Sequence, residues 1–178
     1  MAATVLIREK NGAGETATDK TSGTVFFRNE DAAATDNNSP LIVPSSGQEY
    51  SFRKVLRMHI SAGTFTSVSN PRVYTDGANG FGTGVKLWAA ITGSYTQPAV
   101  PTESNDPPQF PGATPMVDAF GLVSGSPGDM DATNAGPFDS TGLPKDIGDY
   151  LNLVMEVETT ASQGVTSAET LTCAYDEI

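Results

Sequence analysis

The stretch Tyr150-Leu-Asn-Leu-Val-Met-Glu-Val-Glu-Thr159 decides the fold class. Leu151, Leu153, Met155 and Val157 fall on one face of an extended chain, opposite Asn152, Val154, Glu156 and Glu158. Alternation with period two marks a β-strand with one buried face. Ser51–Ile60 repeats the pattern. Phe52, Leu56, Met58 and Ile60 share one face, Arg53, Arg57 and His59 the other, and Lys54 is an exception on the apolar side. Val85–Ile91 places Val85, Leu87, Ala89 and Ile91 opposite Lys86 and Trp88. Ala168–Tyr175 alternates in the same way.

Around these four strands lie weaker ones. Thr4–Ile7 and Thr24–Phe27 are short β-type bursts, Phe65–Thr75 is interrupted at Asn70-Pro71, and one short strand is expected near Met116–Leu122. The glycine-dense run Asp76–Gly84 leads into a strand, so it reads as a hairpin or bulge rather than a dinucleotide loop. Helical periodicity is absent from the first fifty residues, and Gly (18) and Pro (12) are plentiful. The sum predicts an all-β, antiparallel β-sandwich, jelly-roll-like, with an extended N-terminal arm and a long Pro/Gly-rich loop. The expected division is an arm with short strands at 1–48 and a sandwich body at 49–178. The body includes a loop at 98–146 that holds nine of the twelve prolines. A loop of that length is functional or disordered as a rule. It reads either as a surface that contacts a neighbour or as a floppy insertion.

Composition narrows the function. The formal charge of −11 argues against direct nucleic-acid binding, which needs a basic face. No apolar run approaches the roughly 20 residues of a membrane-spanning helix, and Met1–Arg8 has neither the basic stretch nor the apolar run of a secretory signal. Synthesis in a cytoplasm and no membrane partner are the expectations. Charge is uneven: residues 51–97 carry Arg53, Lys54, Arg57, Arg72 and Lys86 against Asp76, whereas 147–178 carry six acids and no base. Complementary outer faces on neighbouring strands are expected, with Arg53 and Arg57 near Glu156 and Glu158.

The catalytic kit is thin. His59 is the only histidine and reads as a solvent-facing strand residue beside Arg57. Cys173 is the only cysteine, which excludes an internal disulfide, and it reads as a small core residue. One His and one Cys supply no recognisable zinc spacing. Glu156 and Glu158 sit about 7 Å apart along one strand face. A glycosidase pair would accept that spacing, and a solvated face answering Arg53 and Arg57 explains it more simply. Asp129-Met-Asp131 resembles a calcium loop without the EF-hand glycine and glutamate. Catalytic, cofactor and metal residues are therefore expected to be none. Trp88 reads as a stacking platform or interface anchor, or else as packing under the long loop.

Several stretches carry a resemblance: Arg8–Lys20, Val85–Thr92, Asp149–Val157, Thr159–Thr172 and Tyr175–Ile178. Over most of the chain these turns and strands resemble small virion structural proteins of tailed phages. The resemblance implies a non-enzymatic particle component with a β-sandwich body, located in the virion and made in the host cytoplasm. A capsid decoration or cement subunit bound to the major capsid protein is the leading expectation, as a homotrimer. A tail or baseplate component and a carbohydrate-binding module for host attachment are the alternatives. The predicted interface residues in the arm are Val5, Leu6, Ile7, Phe26, Phe27, Leu41, Ile42 and Val43. In the body they are Trp88, Phe110, Phe120 and Phe138.

Overall fold

A computed structural model describes residues 2–36, 38–99, 101, 108–110, 114–164 and 166–178, with the side chains of Phe110 and Thr114 outside that description. The first half of the chain holds strands β1 (Thr4–Glu9), β2 (Thr18–Asp19), β3 (Gln48–Tyr50), β4 (Lys54–Ala62), β5 (Val68–Tyr74) and β6 (Val85–Thr92). The second half holds β7 (Gln109–Phe110), β8 (Thr114–Pro115), β9 (Val117–Asp118), β10 (Gly128–Asp129), β11 (Lys145–Glu158) and β12 (Thr172–Glu177). A 3-10 turn spans Ala119–Gly121, capped by the Asp118 carboxylate. The large sheet runs β2-β1-β4-β11-β6-β9, with β3 continuing the β4 side of β11. The small sheet runs β10-β5-β12, and β7 and β8 form a two-stranded ribbon. All the strand pairings are antiparallel. The expected antiparallel β-sandwich is what is found.

Register explains where the core lies. Leu151 pairs with Leu56 on one side and Ile91 on the other, and Glu9 pairs with Leu56. Paired residues share a face, so Val5, Ile7, Met58, Ile60, Leu151, Leu153, Leu87 and Ala89 all point inward. There they meet Val73, Met130, Val68 and Cys173 from the small-sheet side. Complete burial of a side chain such as Leu151 or Ile60 contributes about 1.5–3 kcal/mol.

β11 carries a bulge between Ile147 and Leu151. Gly148 sits there with φ +66°, and a Cβ at that position would come within 2.7 Å of the Met130 carbonyl oxygen. Only glycine accepts both demands. The bulge turns buried Asp149 toward residues 131–134, where its carboxylate accepts from the Thr133 and Asn134 amides and from Asn134 Nδ2.

Several expectations need correction. The strands at 51–60 and 150–159 were expected to be half-buried, yet both faces are covered: Val55, His59, Asn152, Val154 and Glu156 on the outer face are all buried. The cover comes from residues 10–16 and 93–97 and from the stretch around Pro108 and Met116. Residues 1–48 are not a free arm. β1 lies inside the large sheet, and Glu9, Lys10, Asn11, Lys20 and Arg28 are buried. Asn11 even extends the ladder with its side chain, accepting from the Val55 amide and donating to the Arg53 carbonyl. Thr24–Phe27 forms no strand, because Val25 and Phe27 pack sideways onto the core.

The described part of 98–146 is not structureless either. Met116, Ala119, Phe120 and Met130 are buried within it. The strand expected near Met116–Leu122 shrinks to Val117–Asp118 followed by the 3-10 turn. All four of Arg53, Arg57, Glu156 and Glu158 share the outer face, but Arg57 does not share the neighbourhood of the glutamates. Glu156 pairs with Tyr50 and Lys86, while Arg57 reaches Gly148 and Tyr150, roughly 20 Å back along β11.

Candidate functional site

Two clusters of charged side chains flank the large sheet, one on each face. On the inner face, Lys54 Nζ stands 3.0 Å from Glu9 Oε1, and Lys20 Nζ stands 3.3 Å from Glu9 Oε2. The Lys54 and Glu9 side chains are both 0% exposed. Backbone carbonyls of the overlying segment complete the ammonium shells. Lys54 donates to Ala32, and Lys20 donates to Thr24 and Ala33. Buried Arg28 extends the cluster outward, pairing with Glu30 and Asp36. Segment 20–39 is thus held down by the cations beneath it.

On the outer face, Asp146 binds Lys10 Nζ at 2.6 Å and His59 Nδ1 at 2.7 Å. Burial pushes the Asp146 carboxyl upward, but hydrogen bonds from Lys10 and His59 outweigh it and hold the group below its ordinary value. An ionised carboxylate only accepts, so His59 Nδ1 carries the shared proton. Arg57 donates to the Gly148 carbonyl and to the Tyr150 hydroxyl, and its guanidinium lies 4.2 Å over the Tyr150 ring. Tyr150 in turn donates to Glu15. Tyr95 closes the cover by donating to the Lys10 carbonyl, and burial, with Asp31 and Glu15 adding to it, pushes its hydroxyl up to about 12.

His59 was expected to face solvent. It is 4% exposed, and its Nε2 meets no hydrogen-bond partner among the described residues. A Ser-His-Asp device needs a nucleophile at that nitrogen. The His-Asp half is present, and no described hydroxyl or thiol bonds to the other half. Cys173 is half-buried against both main core clusters, and burial pushes its thiol up to about 12, far from a reactive thiolate.

The Glu156 and Glu158 pair is committed elsewhere. Glu156 is buried and accepts from Lys86 Nζ at 3.2 Å and Trp88 Nε1 at 2.6 Å, while Glu158 pairs with the same lysine at 2.7 Å. Trp88 is half-buried among Tyr50, Met116, Val154 and Ala90, which is packing under the long loop rather than an open platform. Asp129 and Asp131 each accept from backbone amides, of Asp131 and Gly136 respectively. No group of three metal-ligating side chains occurs among the described residues.

The predicted interface residues are mostly turned into the chain itself. Val5 and Ile7 pack on the inner core, Phe27 joins them, Phe120 is buried edge-to-face with Phe81, and Phe138 packs beside Val68. Leu41 and Val43 cover Val85, Met155 and Val157. Leu6 and Phe26 are half-buried. Ile42, between Leu41 and Val43, is the most exposed of the described set at 64%. Phe110 has only its backbone within the description. Sequence reading missed Glu9, Lys10, Lys20, Arg28 and Asp146, whose one visible signal was Lys54 on an apolar strand face.

Two depressions stand out, of about 210 Å³ beside Tyr74, Asp76 and Thr172 and about 180 Å³ beside Ala90, Pro115 and Val117. Both fall below the roughly 300 Å³ at which small-molecule sites begin. No described helix is long and apolar enough to cross a membrane. No protein-family model, curated protein or solved structure matches this chain.

Proposed function

We propose that this chain is a non-enzymatic structural protein of a tailed-phage particle, seated on the outer capsid surface as a decoration subunit that reinforces the shell. Its partners in this reading are the major capsid protein and two further copies of itself. The observation that carries it is the use made of reactive side chains. His59, Asp146, Glu156 and Glu9 are all bound into structural ion pairs or hydrogen bonds. They stiffen a sandwich whose large sheet is covered on both faces, a build suited to bearing load on a surface. The resemblance of its turns and strands to small phage virion proteins favours that location.

Ile42 is the contact point this reading favours, because its neighbours face inward and it alone of that stretch stays open. Imaging of particles carrying a tagged copy tests the location: label is expected over the head shell, and label at the tail or on no particle overturns it. Ile42→Asp is expected to weaken particle binding at least tenfold while the isolated protein keeps its unfolding midpoint. The carbohydrate-binding alternative draws nothing from Trp88, whose indole N–H is bound to Glu156 and whose ring is packed from within.

A further inference from the structure

We propose that Lys54 and Glu9 condense to an intramolecular isopeptide bond, Nζ of Lys54 to Cδ of Glu9, with the Lys20 ammonium facing the oxygen on which negative charge develops. The two reacting groups are in contact at 3.0 Å with neither side chain exposed to water. Holding the two groups side by side removes much of the entropic cost of bringing them together. Among the described residues Glu9 Oε2 receives no hydrogen bond, and the Lys20 ammonium stands 3.3 Å from it. That is where an oxyanion donor has to stand. Lys54 also donates to the Ala32 carbonyl, a second contact that holds the amine in place.

The chemistry balances within the chain. Lys54 passes a proton to the Glu9 carboxylate, which gives a neutral amine beside a carboxylic acid. The nitrogen lone pair attacks Cδ, and the C–N bond forms. Negative charge develops on Oε2 against the Lys20 ammonium. A second proton passes from the nitrogen to the Oε1 hydroxyl, the Cδ–Oε1 bond breaks, water leaves, and Oε2 remains as the amide carbonyl. Ammonium plus carboxylate become amide plus water, without oxidant, cofactor or net charge change. Burial favours the first step, since it pushes the Lys54 ammonium down, against the pull of Glu9 upward. Condensation also removes a desolvated ion pair from the core, and such pairs are costly to keep.

The outer pair, Lys10 with Asp146, touches at 2.6 Å but lacks these conditions. The Asp146 side chain is 24% exposed and is bound by two donors that stabilise its anion. The inner bond would tie β1 to β4 across 45 residues of sequence. It is independent of any location on a particle.

Intact-mass measurement of the denatured full chain, with fragmentation of its proteolytic peptides, tests the proposal. The expected result is a mass one water below the sequence value, with the peptides of Glu9 and Lys54 joined. The full sequence mass, or a water loss that fragmentation assigns elsewhere, overturns it. Lys54→Arg keeps the charge but offers no comparable nucleophile, and it is expected at full mass with the fold retained by circular dichroism. Lys20→Met is expected to lose the link; a link that persists there overturns the role given to Lys20.

Discussion

The inner and outer charge clusters use the same residue types to different ends. Inside, Glu9 lies fully buried between Lys54 and Lys20, under the carbonyls of Thr24, Ala32 and Ala33. Outside, Asp146 lies between Lys10 and His59 at the margin of solvent, with Glu15 a third exposed. The difference shows how a chain of low hydrophobic content, 38%, closes a sandwich. Where apolar cover runs short, loops are fastened through their carbonyls to buried cations. Where the sheet meets water, a polar network seals it.

Removing the inner anion has the largest expected effect. Glu9→Ala leaves two buried ammoniums without their shared partner and is expected to cost about 3–5 kcal/mol in urea unfolding. A loss below 1 kcal/mol would mean that the site takes up water freely. Replacing all three charges together, as Glu9→Leu, Lys20→Met and Lys54→Met, is expected to recover much of that loss, because an apolar core of similar volume needs no pairing.

Asp146→Asn comes next, at about 1.5–3 kcal/mol for hydrogen bonds to charged groups. It also carries a pH signature. The folded carboxyl titrates below its unfolded value near 3.8, so its contribution is full above that value and is lost as pH falls through the folded one. The variant is expected to show a flatter acid limb of stability below about pH 4; an unchanged limb would assign that limb to other groups.

The baseline is Arg72 with Asp176 on the small sheet, an exposed pair at 2.9 Å. Arg72→Ala is expected to change stability by less than about 1 kcal/mol. A larger effect would erase the contrast between buried and exposed pairs.

The strands were legible because the inner face alternates cleanly at Leu151, Leu153, Met155 and Val157. Burial of the outer face was not, because its cover is supplied from residues 10–16 and 93–97, distant in sequence from both strands they protect. β1 offered only Val5-Leu6-Ile7 as an apolar signal, and its anchor is a contact from Glu9 to Lys54 that no local pattern encodes. Reading His59 as exposed followed from Arg57 beside it, yet the bulge at Gly148 and the reach of Lys10 close over both. Arg53 and Arg57 were matched to Glu156 and Glu158 by charge alone, and register sent the glutamates to Lys86 and Trp88 instead.

The N-terminal quarter of the chain belongs to the sandwich and is held there through the buried contact of Glu9 with Lys54 and Lys20. Hydrogen–deuterium exchange of the intact protein tests it most directly. Peptides covering residues 4–11 are expected to exchange with the slow set formed by β4 and β11. Exchange of 4–11 at the rate of unprotected chain, while β4 and β11 stay protected, would contradict it.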